Sequence, residues 1–172
     1  MDLKSKIREI PDFPVAGVSF KDITTLLKEH EALEFVVDEI LSEFKNKNIT
    51  KVIGIESRGF IFGGALANGL KAGFVPARKK GKLPADKISE TYKLEYGYDT
   101  IEMHSDALAE DDVVLIHDDL LATGGTANAV YNMVKSMGIR TVYFSFLCNL
   151  EFIHTPEKLI IQNMNPHVLV KY

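Results

Sequence analysis

The chain has 172 residues, of which 46% are hydrophobic and 26% are charged, and this composition predicts a single domain, spanning residues 1–172, with a substantial core. Its formal net charge of -4 argues against nonspecific nucleic-acid binding, which depends on positive charge. The one cysteine, Cys148, excludes an intrachain disulfide and a cysteine metal cluster. No signal peptide or membrane span is visible. We therefore expect a cytoplasmic protein with no membrane or nucleic-acid partner.

The N-terminal residues have two different characters. Leu3, Ile7 and Ile10 repeat at helical spacing, which predicts a short amphipathic helix that ends before Pro11. Residues 11–22 contain too many prolines and glycines for regular structure, but they also carry large apolar side chains. From these residues alone we expect an ordered loop that packs onto the domain.

The first predicted strand ends in a polar turn. Residues 32–44 carry apolar side chains at intervals of three and four, which predicts a helix that faces the core. Residues 51–55 predict a parallel strand, and residues 60–70 predict a helix. The turn between them consists of Glu56, Ser57, Arg58 and Gly59. These residues suit either a ligand site at a strand end or a simple helix cap that begins at Ser57.

A basic run and a hairpin follow a second short strand, predicted over residues 74–77. The run contains four cations in five positions: Arg78, Lys79, Lys80 and Lys82. A solvated loop is its usual explanation, although in an acidic chain it also suits an anion. Residues 88–103 alternate in polarity on both sides of Gly97, which predicts an antiparallel hairpin.

The most informative stretch is a strand, a loop and the start of a helix. Residues 113–116 form a short apolar run that is typical of a buried parallel strand. Asp118 and Asp119 follow at the end where ligands bind in such sheets, and their carboxylates can accept hydrogen bonds from vicinal sugar hydroxyls. The next residues form a loop whose N–H and hydroxyl groups can bind a phosphate at the start of a helix predicted over residues 126–137: Ala122, Thr123, Gly124, Gly125 and Thr126.

This stretch predicts a ribose 5-phosphate site. The alternative for the loop alone is an ordinary turn with a polar helix cap. Further strands are predicted over residues 140–147 and 168–170, with a helical or irregular connection over residues 151–159. The alternation of strands and helices predicts a three-layer α/β/α fold with a central parallel sheet.

The strand, the acidic pair and the glycine-threonine loop resemble the signature of the type I phosphoribosyltransferases. Three further segments resemble the adenine-specific members of that family: residues 13–22, the turn at residues 56–59, and residues 78–84 together with the hairpin. The resemblance covers nearly the whole chain. His117 departs from it, because the family usually has an apolar residue at this position. We expect a partly buried, neutral histidine there, with little effect on function.

The resemblance implies an enzyme that converts adenine and 5-phosphoribosyl diphosphate into AMP and pyrophosphate. It implies an N-terminal hood segment over residues 1–30, and a flexible basic loop and flap over residues 79–103. It also implies a homodimer, and Mg²⁺ that arrives with the substrate and has no ligand set made only of protein groups. The alternatives are a phosphoribosyltransferase for another purine base, or a purine-responsive regulator of the same fold.

The resemblance also implies the role of each site residue. The phosphoribose group would contact Asp118, Asp119 and the loop from Ala122 to Thr126. The pyrophosphate group would contact Glu56, Ser57, Arg58, Arg78, Lys79 and Lys82. The base would contact Ser19, Phe20, Lys21 and Tyr96, with Phe20 stacking on the ring and main-chain groups of Ser19 and Lys21 bonding its edge. Glu95 and Arg58 would act in catalysis.

Overall fold

The computed structural model describes residues 1–94 and 97–172, and it divides the chain into two compact units, Met1–Glu39 and Ile40–Tyr172. The first unit contains strands β1 (Arg8–Ile10) and β2 (Phe20–Asp22), helix α1 (Thr24–Leu27) and the beginning of helix α2 (His30–Phe44). Helix α2 confirms the helix predicted over residues 32–44.

The predicted N-terminal helix is wrong. Only a single 3-10 turn, Lys4–Lys6, forms before β1, and β1 pairs in an antiparallel manner with β2. Arg8 lies opposite Asp22 in this pair, and its guanidinium Nη2 is 2.5 Å from the Asp22 Oδ2 atom. Pairing with β2 holds residues 8–10 as a strand and not as a helix. The same pairing corrects a second prediction, because β2 lies in the segment for which no regular structure was expected.

The second unit is built on a seven-stranded sheet. Its strands are β3 (Lys51–Ile55), β4 (Gly73–Lys79), β5 (Lys87–Lys93), β6 (Tyr98–His104), β7 (Val113–Leu121), β8 (Thr141–Asn149) and β9 (His167–Lys171). Its helices after α2 are α3 (Gly59–Leu70), α4 (Gly125–Ser136) and α5 (Pro156–Gln162). The order across the sheet is β5-β6-β4-β3-β7-β8-β9.

Five neighbouring strands of this sheet, from β4 to β9 in spatial order, are parallel, and helices flank them. The other two, β5 and β6, form the predicted antiparallel hairpin, and β6 pairs with β4. The predicted fold class is therefore confirmed. The central strands β3 and β7 are buried because both of their faces are covered, which explains the continuous apolar runs in their sequences.

Two of the strands that extend beyond their predicted ranges, β7 and β4, carry predicted site residues. Strand β7 continues to Leu121 because it keeps pairing with β8 up to Asn149, so Asp118 and Asp119 lie within the strand and not after it. Strand β4 includes Arg78 and Lys79, so only the end of the basic run lies in a turn. No helix in the described part of the chain is long and apolar enough to cross a membrane.

Candidate active site

The acidic pair lies next to the start of helix α3. The Nε atom of Arg58 is 2.9 Å from the Asp119 Oδ2 atom, and Asp119 is buried. The Asp118 Oδ1 atom accepts a hydrogen bond of 2.8 Å from the Asp119 backbone. A Cβ atom at Gly59 would lie 3.0 Å from Asp118 Oδ1 and 2.8 Å from the carbonyl oxygen of His117. Gly59 therefore lets the turn that carries Arg58 approach the two carboxylates closely.

Burial dominates the electrostatics of this pair. It raises the pKa of Asp118 well above the ordinary value, and the charge of Asp119 raises it further. Burial also raises the pKa of Asp119, against the opposing effect of the Arg58 charge. Two carboxyl groups whose ionisation is unfavourable in the absence of a partner are well suited to ligand groups that donate hydrogen bonds.

The predicted phosphate loop leads directly into helix α4. Gly124 has a φ of 79° and is the N-cap of the helix, and a Cβ atom there would lie 2.7 Å from the Lys158 Cα atom. Both the left-handed conformation and the close approach require glycine at this position. The Gly125 N–H group donates to the Thr123 hydroxyl at 3.4 Å. The loop thus places backbone N–H groups and threonine hydroxyls at the positive end of a 12-residue helix.

A cleft of about 620 Å³ opens beside this loop. Its lining includes Thr123 and Gly125 from the loop, Lys93 from the end of β5, and Ile153 and Thr155 from the connection between β8 and α5. Sequence patterns alone do not predict that this connection lies at the site. Its only signal is Thr155 before Pro156, a pair typical of a helix start.

Glu56 connects the turn at the end of β3 to the basic run. Its carboxylate accepts hydrogen bonds from the Lys79 backbone at 2.8 Å and from the Arg78 Nε atom at 3.3 Å. Burial opposes ionisation of Glu56, but these hydrogen bonds hold its pKa below the ordinary value. The peptide bond between Glu56 and Ser57 is cis. Glu56, Arg78 and Lys79 are therefore brought together, whereas Ser57 and Lys82 are exposed.

The Lys79 ammonium group contacts two hairpin residues that the sequence did not single out. It forms an ion pair with Asp99 and lies 3.1 Å from the Tyr92 hydroxyl. Burial opposes the charge on Lys79, but these partners raise its pKa overall. Tyr92 also packs against the phosphate loop, since its ring lies 3.3 Å from the Cβ position of Gly125. One side chain of the hairpin therefore contacts both the basic run and the loop.

Three of the four predicted base contacts, Ser19, Phe20 and Lys21, lie in the first unit. Within the first unit, the Phe20 ring meets the Phe13 ring edge to face at 5.2 Å between centroids. The Lys21 ammonium group is 2.8 Å from the Glu9 carboxylate and 3.2 Å from the Ser19 hydroxyl. The fourth, Tyr96, and the predicted catalytic residue Glu95 lie outside the described residues.

His117 is neutral, as predicted, but it is completely buried and not partly buried. Burial lowers its pKa to about 3, and its Nδ1 atom is 2.7 Å from the Ser145 hydroxyl of the neighbouring strand. Among the described residues, no group of three or more histidine, cysteine, aspartate or glutamate side chains could hold a metal ion. Asp118 and Asp119 supply only two carboxylates, and one of them already contacts Arg58.

Comparison with known proteins identifies the class to which this site belongs. The family profile of the phosphoribosyl transferase domain matches residues 24–151, and the chain therefore belongs to that family. The adenine phosphoribosyltransferase of Phocaeicola vulgatus is 56% identical over 148 residues, which are 86% of this chain and 85% of that protein. Within the family, the chain thus belongs to the adenine phosphoribosyltransferases.

Solved structures agree with this assignment. The adenine phosphoribosyltransferase of Rhodothermus marinus superposes with a TM-score of 0.91 at 48% identity, covering 99% of this chain and 96% of that one. The enzyme of Giardia lamblia, solved in complex with 9-deazaadenine, superposes with a TM-score of 0.92 at 39% identity, again covering 99% of this chain and 96% of that one.

Proposed function

We propose that the chain is a purine-salvage enzyme that transfers the 5-phosphoribosyl group from 5-phosphoribosyl diphosphate to adenine, giving AMP and pyrophosphate. One observation carries the proposal. The acidic pair, in which Asp119 is buried and Asp118 is half-buried, comes from the carboxyl end of strand β7, and the loop at the start of α4 follows it. Arg58, the partner of Asp119, follows the carboxyl end of the adjacent parallel strand β3. That edge is where a parallel sheet binds its ligands.

The phosphoribosyl half of the substrate fits the loop and the acidic pair. The 5′-phosphate accepts hydrogen bonds from the N–H and hydroxyl groups of residues 122–126, where the helix dipole favours negative charge. The ribose hydroxyls donate to Asp118 and Asp119, which can only accept once they are ionised. The diphosphate half contacts Arg58, Arg78, Lys79 and Lys82, together with the polar turn that contains Glu56 and Ser57.

Charge placement is the main catalytic resource in this reaction. The bond between C1′ and the diphosphate oxygen weakens before the adenine nitrogen attacks, so positive charge develops at C1′ and negative charge on the leaving group. Arg58 and the basic run stabilise the leaving group, while the acidic pair holds the ribose in place. Mg²⁺ would arrive with the substrate, bound through the diphosphate, and would supply Lewis-acid stabilisation of the leaving group.

Adenine is bound by Phe20, which stacks on the ring, by main-chain groups of Ser19 and Lys21, and by Tyr96. Glu95 assists the purine nitrogens. Residues 1–30 act as a hood and residues 79–103 as a flexible basic loop and flap. We further propose that the enzyme is a cytoplasmic homodimer. The likeness to adenine phosphoribosyltransferases over most of the chain supports the assignment of these residues to adenine binding.

An initial-rate assay tests the function. The purified chain, supplied with 5-phosphoribosyl diphosphate and Mg²⁺, should release pyrophosphate and form AMP with adenine much faster than it uses hypoxanthine, xanthine or orotate. Equal or faster turnover of another base would show that the enzyme is not specific for adenine. Absence of turnover with every base, in a protein shown to be folded, would remove the enzymatic assignment.

A further inference from the structure

The start of α5 contacts the phosphate loop at two points. The Thr155 hydroxyl donates a hydrogen bond to the carbonyl oxygen of Thr123. The backbone of Lys158 leaves room only for glycine at position 124. The loop is therefore in contact with α5 through one side-chain hydrogen bond and one close backbone approach.

The anchoring of α5 is itself built from buried polar contacts. The Lys158 side chain is 1% exposed, and its ammonium group donates to the carbonyl oxygen of Leu150. The Leu150 N–H group donates in turn to the carbonyl oxygen of Leu121, at 3.0 Å, one residue before the loop begins. These contacts fix Thr155 relative to the strand that leads into the loop.

We propose that Thr155 is a positioning residue for the 5′-phosphate, because its hydroxyl holds the peptide group between Thr123 and Gly124 in the orientation that phosphate binding requires. In a planar trans peptide the C=O and N–H bonds point in opposite directions. A hydrogen bond that fixes the Thr123 carbonyl on one side therefore fixes the Gly124 N–H on the other. This inference rests on the phosphate-binding role proposed above for residues 122–126.

The hydrogen-bonding capacity of Thr155 supports a specific role for its proton. Thr155 is the N-cap of α5, and its hydroxyl oxygen accepts a 3.1 Å hydrogen bond from the Lys158 N–H group. A cap requires only an acceptor, which an oxygen of any N-cap side chain could supply. The single hydroxyl proton remains available for donation, and it is directed to Thr123. The cap and the contact with the loop are thus two separate uses of one hydroxyl.

Two substitutions separate the positioning role from general stability. Thr155→Val keeps the shape of the side chain but removes the hydroxyl, whereas Thr155→Ser keeps it. Ile161→Val is the matched control, because it removes one methylene from a fully buried residue of the same helix and leaves the contact with Thr123 in place. Each full-length variant is compared by its melting temperature, by its KM values for both substrates, and by calorimetric binding of AMP and of adenosine.

Thr155→Val should weaken AMP binding and raise the KM for 5-phosphoribosyl diphosphate by about five- to tenfold, the usual net effect of losing one hydrogen bond between neutral groups. Adenosine binding and the KM for adenine should change less than about twofold. Thr155→Ser should restore the wild-type values, and Ile161→Val should lower the melting temperature without changing the preference for AMP.

Equal losses for AMP and adenosine, or failure of Thr155→Ser to restore AMP binding, would overturn the positioning role. Wild-type binding of AMP by Thr155→Val would do the same. A failure of the proposed function itself would show differently, because the wild-type protein would then lack turnover with adenine or would bind AMP no better than adenosine.

Discussion

Replacement of Asp118 by asparagine should make the ligand-free protein more stable and nearly inactive. Burial and the neighbouring Asp119 charge raise the pKa of Asp118, so its ionised form is unfavourable in the folded protein. Asparagine keeps an oxygen that can accept the 2.8 Å hydrogen bond from the Asp119 N–H group, so the local geometry is retained. It also removes the repulsion on Asp119, which stays paired with Arg58.

The sign and size of this effect follow from proton linkage. The folded protein holds the Asp118 proton at pH values where the unfolded chain, with a pKa of about 4, has lost it. Wild-type stability therefore falls as the pH rises from that value through the raised pKa of the folded state. Each unit by which folding raises this pKa, up to the working pH, costs about 1.4 kcal/mol, so the variant should be more stable than the wild type at pH 7. Each kcal/mol of added stability corresponds to about 2–4 °C in Tm.

Urea unfolding between pH 4 and 8 measures this prediction, and the exposed Asp106→Asn variant controls for removal of a charge as such. The stability difference between Asp118→Asn and the wild type should shrink as the pH approaches 4. A variant that is less stable at pH 7, or a difference that does not depend on pH, would refute the electrostatic reasoning. The variant should also lose at least about tenfold in kcat/KM, because a hydroxyl contact to a charged acceptor is lost. Near-normal kcat/KM in the variant that also carries Asp119→Asn would end the ribose assignment.

Three further predictions test the other groups. Phe20→Ala should weaken the binding of adenine by ~1–3 kcal/mol, because stacking and apolar cover are lost. Equal increases in KM for both substrates would show that the segment is only structural. Inactive Lys79→Ala and Arg58→Ala proteins, mixed and allowed to exchange subunits, should recover activity if the basic run completes a neighbour's site. No recovery after confirmed exchange would place both side chains in one subunit's site or remove Lys79 from it. Glu95→Gln should lower kcat by ~10²–10⁴ if Glu95 holds the purine N7 proton. With 7-deazaadenine, which lacks N7, the wild type should then no longer be faster than Glu95→Gln. If the wild type keeps its full rate advantage over the variant on this analogue, that role is excluded.

The sequence predicted best the elements in which burial leaves a clear pattern along the chain. Strand β3 matches its predicted range, and the hairpin and α2 appear where the periodicity placed them, because burial imposes a pattern on each element by itself. Strand β1 shows the limit of this approach. Its three residues pair with β2 ten positions further on, and a segment so short carries no period that distinguishes a strand from a helical turn.

Polar residues inside β7 show a second limit. His117, Asp118 and Asp119 would ordinarily end a buried strand, and the sequence placed its end before them. The strand tolerates them because the His117 ring contacts Ser145 of β8 and the Asp119 carboxylate contacts Arg58. Both partners are far away in the sequence. For the same reason Thr155 could be recognised as a helix cap, but its contact with Thr123, 32 positions earlier, could not be predicted.

Three cations at the ends of β3 and β4 are each paired with a carboxylate: Arg58 with Asp119, Arg78 with Glu56, and Lys79 with Asp99. The Arg78 and Lys79 side chains remain 33% and 41% exposed, so solvent screens these two pairs and each is worth only about 0–1 kcal/mol. The Arg58 side chain is 33% exposed, but its partner Asp119 is only 5% exposed, so this third pair is screened less. A diphosphate that enters the site would replace a weakly bound carboxylate as the partner of Arg78 or Lys79. The carboxylates of these two pairs orient the cations before the ligand binds, and the pairs are weak enough to be exchanged for contacts with the anion. The site can therefore be preorganised for an anion at little energetic cost.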